Sequence, residues 1–99
     1  MEFKVAYGRV MASFDGYRRG MLVEAKYFCG SIQSMPLTRV RCLLSEARRQ
    51  RFLAKKEGLP LEWHIASFAA AQDICQLFAN NGLGDIPVYF TPPQIANKC

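Results

Sequence analysis

Residues 21–28, Met-Leu-Val-Glu-Ala-Lys-Tyr-Phe, set the tightest limit on how this chain can fold. The segment is apolar enough to be a buried strand, yet it carries a carboxylate and an ammonium two residues apart. Alternate residues of a strand share a face, so Glu24 and Lys26 project together while Val23 and Ala25 face the other way. Charges in a sheet interior are costly unless they are paired or metal-bound. A central strand built this way must lie where a partner for its charges can reach it. The other reading of the same residues is a solvated ion pair worth under about 1 kcal/mol.

The periodicities around that strand supply the rest of a domain. Phe3, Val5 and Tyr7 share one face of a strand over residues 1–7. Val10, Ala12 and Phe14 do the same over residues 9–14, which end at an Asp15-Gly16 turn. Residues 21–28 are expected to fold back antiparallel on residues 8–14, bringing Asp15 to the mouth of the hairpin and within reach of Glu24. Val40, Leu43, Leu44, Ala47, Phe52 and Leu53 give an apolar stripe to a helix over residues 37–57, stopped by Gly58 and Pro60. In residues 61–66, Leu61, Trp63 and Ile65 face one way and Glu62, His64 and Ala66 the other. Ser67 suits the N-cap of a helix over residues 68–80, with Ala71, Ile74, Cys75 and Phe78 inside and Asn81-Gly82 as its stop. A short strand over residues 86–90 precedes Thr91-Pro92-Pro93. The order β-β-β-α-β-α-β predicts one α/β domain over residues 1–99, a mixed sheet with helices packed on its faces.

Charge narrows the class of partner. Thirteen basic against eight acidic residues give a net charge of +5, which favours encounter with polyanions. Seven cations, Arg39, Arg41, Arg48, Arg49, Arg51, Lys55 and Lys56, sit on the long helix against Glu46 and Glu57. They are either a solvated face or a surface for a phosphate backbone. Arg18 and Arg19, in the expected loop, have the same two readings. No apolar run approaches the ~20 residues of a membrane span, and the N-terminus carries no basic-then-apolar signal segment. Export would then use no cleaved leader, or proceed as part of a longer polypeptide. The four cysteines include no CxxC pair, which argues against zinc; Cys29, Cys42 and Cys75 read as small apolar filler and Cys99 as a tail thiol. His64, the single histidine, reads as a hydrogen-bonded or surface-facing strand residue rather than a general base, and Trp63 as core.

Two carboxylates and a lysine are the residue types that a hard cation and its activated water require. Magnesium takes oxygen ligands and keeps several waters, so Asp15 and Glu24 suffice beside a substrate phosphate. Lys26 would orient the water or stabilise developing charge.

Asp15, eight residues, then Glu24-Ala25-Lys26 resembles the PD-(D/E)xK signature of restriction-endonuclease-like nucleases, with Phe14 where that signature has proline. The longer order, Phe14-Asp15-Gly16, Leu22 to Lys26, Arg49-Gln50, Leu61-Glu62-Trp63-His64 and Ile86-Pro87-Val88-Tyr89, resembles the restriction-endonuclease-fold toxin domain, subfamily five, of polymorphic toxins and type VI secretion effectors. The resemblance covers roughly residues 9 to 92. It implies a restriction-endonuclease-like core and a magnesium- or manganese-dependent nuclease, with DNA as substrate and RNA as the other candidate. It also implies a cognate immunity protein, and action in the cytoplasm of a target cell. Asp15 and Glu24 become the metal ligands and Lys26 the catalytic cation. Gln50 takes a place near the carboxylates on the resemblance alone, since by spacing it is only a good helix former. Arg18, Arg19, Arg48, Arg49 and Arg51 become the candidate nucleic-acid contacts. That core usually opens with a helix that often adds another acid, and this chain begins almost directly with strands; the helix would lie on a longer effector of which this is the C-terminal part, or the domain is a reduced version. The competing classes are a non-catalytic module that binds nucleic acid or protein, and a small phage-type inhibitor.

Overall fold

The computed structural model describes residues 3–7, 10–14, 16–18, 20–28 and 30–92, and along the first three strands it describes the side chains of Lys4 and Val5 alone. The chain runs through β1 (Phe3–Tyr7), β2 (Val10–Phe14), β3 (Gly16–Arg18), β4 (Met21–Lys26), α1 (Leu37–Glu57), β5 (Leu61–Ile65), α2 (Phe68–Asn80) and β6 (Val88–Phe90). β1 and β2 form an antiparallel ribbon that packs along α1. The other four strands make one sheet in the order β3-β4-β5-β6. β3 is antiparallel to β4, whereas β4, β5 and β6 run parallel, with α1 and α2 as the crossovers. The fold is therefore a small α/β domain with a mixed sheet.

The helices begin and end where local chemistry directs. The Ser67 hydroxyl accepts the Ala70 N–H at the start of α2, satisfying one of the N–H groups that a first turn leaves without a helical partner. Gly58 closes α1 in the left-handed region at φ 69°, a conformation that favours glycine. In β5 the apolar members of the alternation, Leu61, Trp63 and Ile65, are buried. β6 starts at Val88 rather than at residue 86. Pro87 has no N–H for a ladder, and the Ile86 N–H is turned back to the Leu83 carbonyl.

Three expectations are corrected. Gly16–Arg18, expected as turn and loop, form an additional strand, β3, and Gly20, at φ 76°, lies in the turn between it and β4, while Asp15 lies outside the described residues. Consequently β4 folds back on Gly16–Arg18, not on residues 8–14, which pair with β1 instead where they are described. The two helices share one face of the sheet: Trp63 meets Gln50 of α1 through its ring nitrogen and Phe78 of α2 edge-on, with ring centroids 5.1 Å apart. β4, β5 and β6 are neighbours stepped in one direction, and crossovers of the usual right hand then place both helices on the same side. On the opposite face Val23, Glu62 and His64 are half-buried and Ala25 and Tyr89 exposed. Finally, Cys42 and Cys75 are exposed rather than filling the core, because each falls at the margin of its helix's apolar stripe; Cys29 and Cys99 lie outside the described residues.

Candidate functional site

Glu24 is registered against Trp63, so these two side chains emerge as neighbours on the helix-covered face. α1 crosses above them and lowers Gln50, with no exposed surface, into the gap. The Trp63 Nε1–H donates to Gln50 Oε1 at 2.8 Å, and Gln50 Nε2–H donates to Glu24 Oε1 at 2.9 Å. An indole can only donate and an ionised carboxylate can only accept, which fixes the orientation of the amide between them. Glu24, 4% exposed, has its second oxygen 3.1 Å from Lys26 Nζ. Lys26 in turn reaches Glu46 Oε1 at 2.8 Å. The result is a continuous line, Trp63 to Gln50 to Glu24 to Lys26 to Glu46, running from the core to the surface.

Position along that line decides the chemistry of each group. Burial pulls the pKa of Lys26 down, but hydrogen bonds to Glu46 and Glu24 and the charges of both carboxylates outweigh it and hold it above the ordinary 10.5. Lys26 is thus a fixed cation and hydrogen-bond donor at neutral pH, unsuited to act as a base. Its ammonium also lies 5.7 Å from the centroid of the Trp63 ring, within range of the ring's negative face. Beside it a cleft of about 190 Å³ opens at the C-terminal end of β4, lined by Lys26, Tyr27, Met35, Arg39, Cys42 and Glu46. Ligands of open α/β sheets gather at this end of the strands. The loop forming one wall of this region is tied to α2 through Asp73, whose carboxylate accepts the Ile32 N–H at 3.1 Å and the Ser31 hydroxyl.

Glu24, Lys26 and Gln50 are thus brought together. Asp15 and Arg19 lie outside the described residues, as does the side chain of Arg18, whose backbone belongs to β3. Gly16 is registered against Val23, the residue before Glu24. Arg48 and Arg49 are exposed, but away from this cluster: at about 100° per residue, Arg48 stands about 160° around α1 from Gln50. Arg51 is engaged in an ion pair with Asp85, 2.8 Å from Oδ1. His64 is held on the opposite face of the sheet by Glu62 at 2.9 Å and Thr91 at 2.8 Å, as a hydrogen-bonded strand residue. Glu46 is the member that sequence reasoning passed over, counted only as an acid on a basic helix. Its spacing of four from Gln50, which puts the two on one face of α1, was the available signal.

The donor chemistry suits a hard cation, since Glu24 and Glu46 offer carboxylate oxygens and one or two are enough for magnesium. The point between them is taken by the Lys26 ammonium. Among the described residues no three His, Cys, Asp or Glu side chains converge as a metal-holding group. Comparison with protein-family models, curated proteins and solved structures finds no match to this chain. No helix among the described residues is long and apolar enough to cross a membrane.

Proposed function

We propose that this domain is a metal-dependent phosphodiesterase, a nuclease of the toxin type, with Glu24, Lys26 and Gln50 at its centre. The observation that carries this reading is a carboxylate only 4% exposed on an interior strand, oriented by a buried amide and adjoining a lysine at the edge of a cleft. Burying such a group costs several kcal/mol before pairing, and an apolar residue of similar size would serve packing as well or better. The arrangement therefore suits chemistry more than stability. The resemblance to restriction-endonuclease-fold toxin domains supports the same assignment.

On this reading Gln50 holds Glu24 in one orientation, and Lys26 supplies positive charge where negative charge grows on a phosphate during attack. A magnesium or manganese ion held by Glu24 with Asp15 would lower the pKa of its bound water and neutralise phosphate charge. DNA is the proposed substrate, with RNA assayed beside it. A cognate immunity protein would be the neutralising partner, and the domain would act in the cytoplasm of a competitor.

The test is nicking of supercoiled plasmid by the purified protein with magnesium. Glu24→Gln and Lys26→Met are each expected to lose at least ~100-fold in rate, the scale of removing a principal electrostatic group. Full activity in either variant, with the fold intact, ends the proposal.

A second reading has its own observation. Among the described residues, no buried side-chain nitrogen or oxygen lacks a hydrogen-bond partner, and Lys26 is clamped by two carboxylates. A network satisfied internally is also what a non-catalytic binding module would carry. Binding that persists under chelation, with no cleavage under any divalent ion, selects that reading.

A further inference from the structure

The face of the sheet turned away from the helices holds a second group of polar side chains, which the Glu24 cluster does not use. Glu62 and His64 lie two apart on β5 and share this face. Nothing near them in the chain offers a nucleophile, but the parallel pairing of β5 with β6 brings one in. Ile65 is registered against Phe90, and the next residue, Thr91, donates its N–H to the Ile65 carbonyl at 2.9 Å. His64 Nε2 is 2.9 Å from Glu62 Oε1, and His64 Nδ1 is 2.8 Å from Thr91 Oγ1. A carboxylate can only accept, so Nε2 carries the hydrogen and the Nδ1 lone pair is left to accept the Thr91 hydroxyl. The Tyr89 ring lies against the imidazole, with centroids 5.4 Å apart. Glu62 and His64 are half-buried and Thr91 is exposed, so the hydroxyl is the member that a substrate can reach.

Hydroxyl, imidazole and carboxylate, each within hydrogen-bond reach of the next, form the arrangement that activates a hydroxyl for attack. Beside them opens a cavity of about 270 Å³, lined by His64 and Thr91 with Ala66 and Pro92 among its apolar walls. Lys26, whose ammonium is turned to Glu24 and Glu46, also lines it. The volume falls just below the ~300–1,000 Å³ of pockets for drug-sized ligands, which suits a short apolar acyl group. We infer that Thr91 and His64 are the catalytic residues of a second site, which hydrolyses small activated esters through an acyl-threonine, with Glu62 positioning the base. As the bond from Oγ to the carbonyl carbon forms, the hydroxyl proton passes to His64 Nδ1. The bond from carbon to the leaving oxygen then breaks, and that oxygen departs with the electron pair and takes the proton from the imidazolium. Water attacks the acyl-threonine by the same route, returning the hydrogen to Thr91 and releasing the acid. The Thr91 N–H is spent on Ile65 and Pro92 has none, so the backbone at the nucleophile offers no donor to an oxyanion. Substrates are therefore restricted to esters with a good leaving group, such as aryl esters. The site lies on the opposite face of the sheet from Glu24 and uses no metal, so it stands or falls independently of the nuclease reading.

The test is release of nitrophenolate from p-nitrophenyl acetate by the whole chain in excess chelator, with the acetyl group located by peptide mapping after an acid quench. The parent protein is expected to carry acetyl on Thr91. Thr91→Ala and His64→Gln should each lower the rate by at least ~100-fold, the lower end of what a positioned base contributes, while Thr91→Ser retains activity. Thermal melts establish that each variant is folded. Because the chain has a single histidine, its imidazole ¹⁵N signals report the tautomer directly. The neutral ring should carry its hydrogen on Nε2 in the parent and divide it between the two nitrogens in Glu62→Gln, whose amide can either donate or accept. Three results each overturn the site: folded Thr91→Ala as active as the parent, acetyl on lysine or histidine with none on Thr91, or a parent imidazole protonated on Nδ1 when neutral.

Discussion

Replacing Gln50 with leucine probes the centre of the molecule most directly. Gln50 has no exposed surface, and its amide is bonded to a buried indole on one side and a buried carboxylate on the other. Leucine fills a similar volume but withdraws one hydrogen bond from Trp63 Nε1–H and one from Glu24 Oε1. Each group left in that state costs about 1–3 kcal/mol, with the charged acceptor towards the upper end. The added apolar burial returns about 1 kcal/mol. The net loss works out at about 2–4 kcal/mol, a large part of the ~5–15 kcal/mol that holds a domain together. For a chain of this size that lowers Tm by about 8–32 °C. Trp63 is the only tryptophan, so its emission in a urea titration reports unfolding from within the perturbed site. A midpoint shift at constant slope gives the stability change. The pair Glu24→Met with Gln50→Leu should cost less than the two single changes added together, because an apolar pair leaves fewer stranded polar atoms. A Gln50→Leu variant within about 0.5 kcal/mol of the parent would refute the chain of bonds on which the candidate site rests.

Two further outcomes test the neighbouring chemistry. Lys26 has a folded pKa above its ordinary 10.5, so its stabilising contribution is complete below that value and is lost as pH rises through the folded one. Urea midpoints of the parent protein should therefore fall more steeply above pH 10.5 than those of Lys26→Met, with the tyrosines common to both; parallel curves would contradict the double clamp. Ser67→Ala removes the hydroxyl that accepts Ala70 N–H and donates to the Gly30 carbonyl at 3.0 Å. It should cost about 1 kcal/mol in the same titration, and no change would show that the cap does not carry the start of α2.

What could be read from the sequence was local. The boundaries of α1 and α2 follow from Gly58 and Ser67, and the inward face of β5 follows from strict alternation through Trp63. The pairing of Lys26 with Glu24 was implied by their spacing on one strand. The rest depended on which strands became neighbours. Reading Gly16–Arg18 as turn and loop hid β3 and gave β4 the wrong antiparallel partner. That helices sit on one face of the sheet follows from the order β4-β5-β6, which no periodicity reveals. Gln50 entered through a resemblance, because nothing within α1 marks it; only β4 and β5 arriving beneath it turn a good helix former into the bridge between an indole and a carboxylate. Glu46 was overlooked for the reverse reason. Among seven cations on its helix it looked like charge balance, and its partner lies twenty residues away on another element.

A single indole fastens both helices to the sheet, gripping α1 through its N–H and α2 through the edge contact with Phe78. Neither helix can lift away by itself without disturbing a ring on which the other depends. Slow amide exchange should accordingly be shared between them.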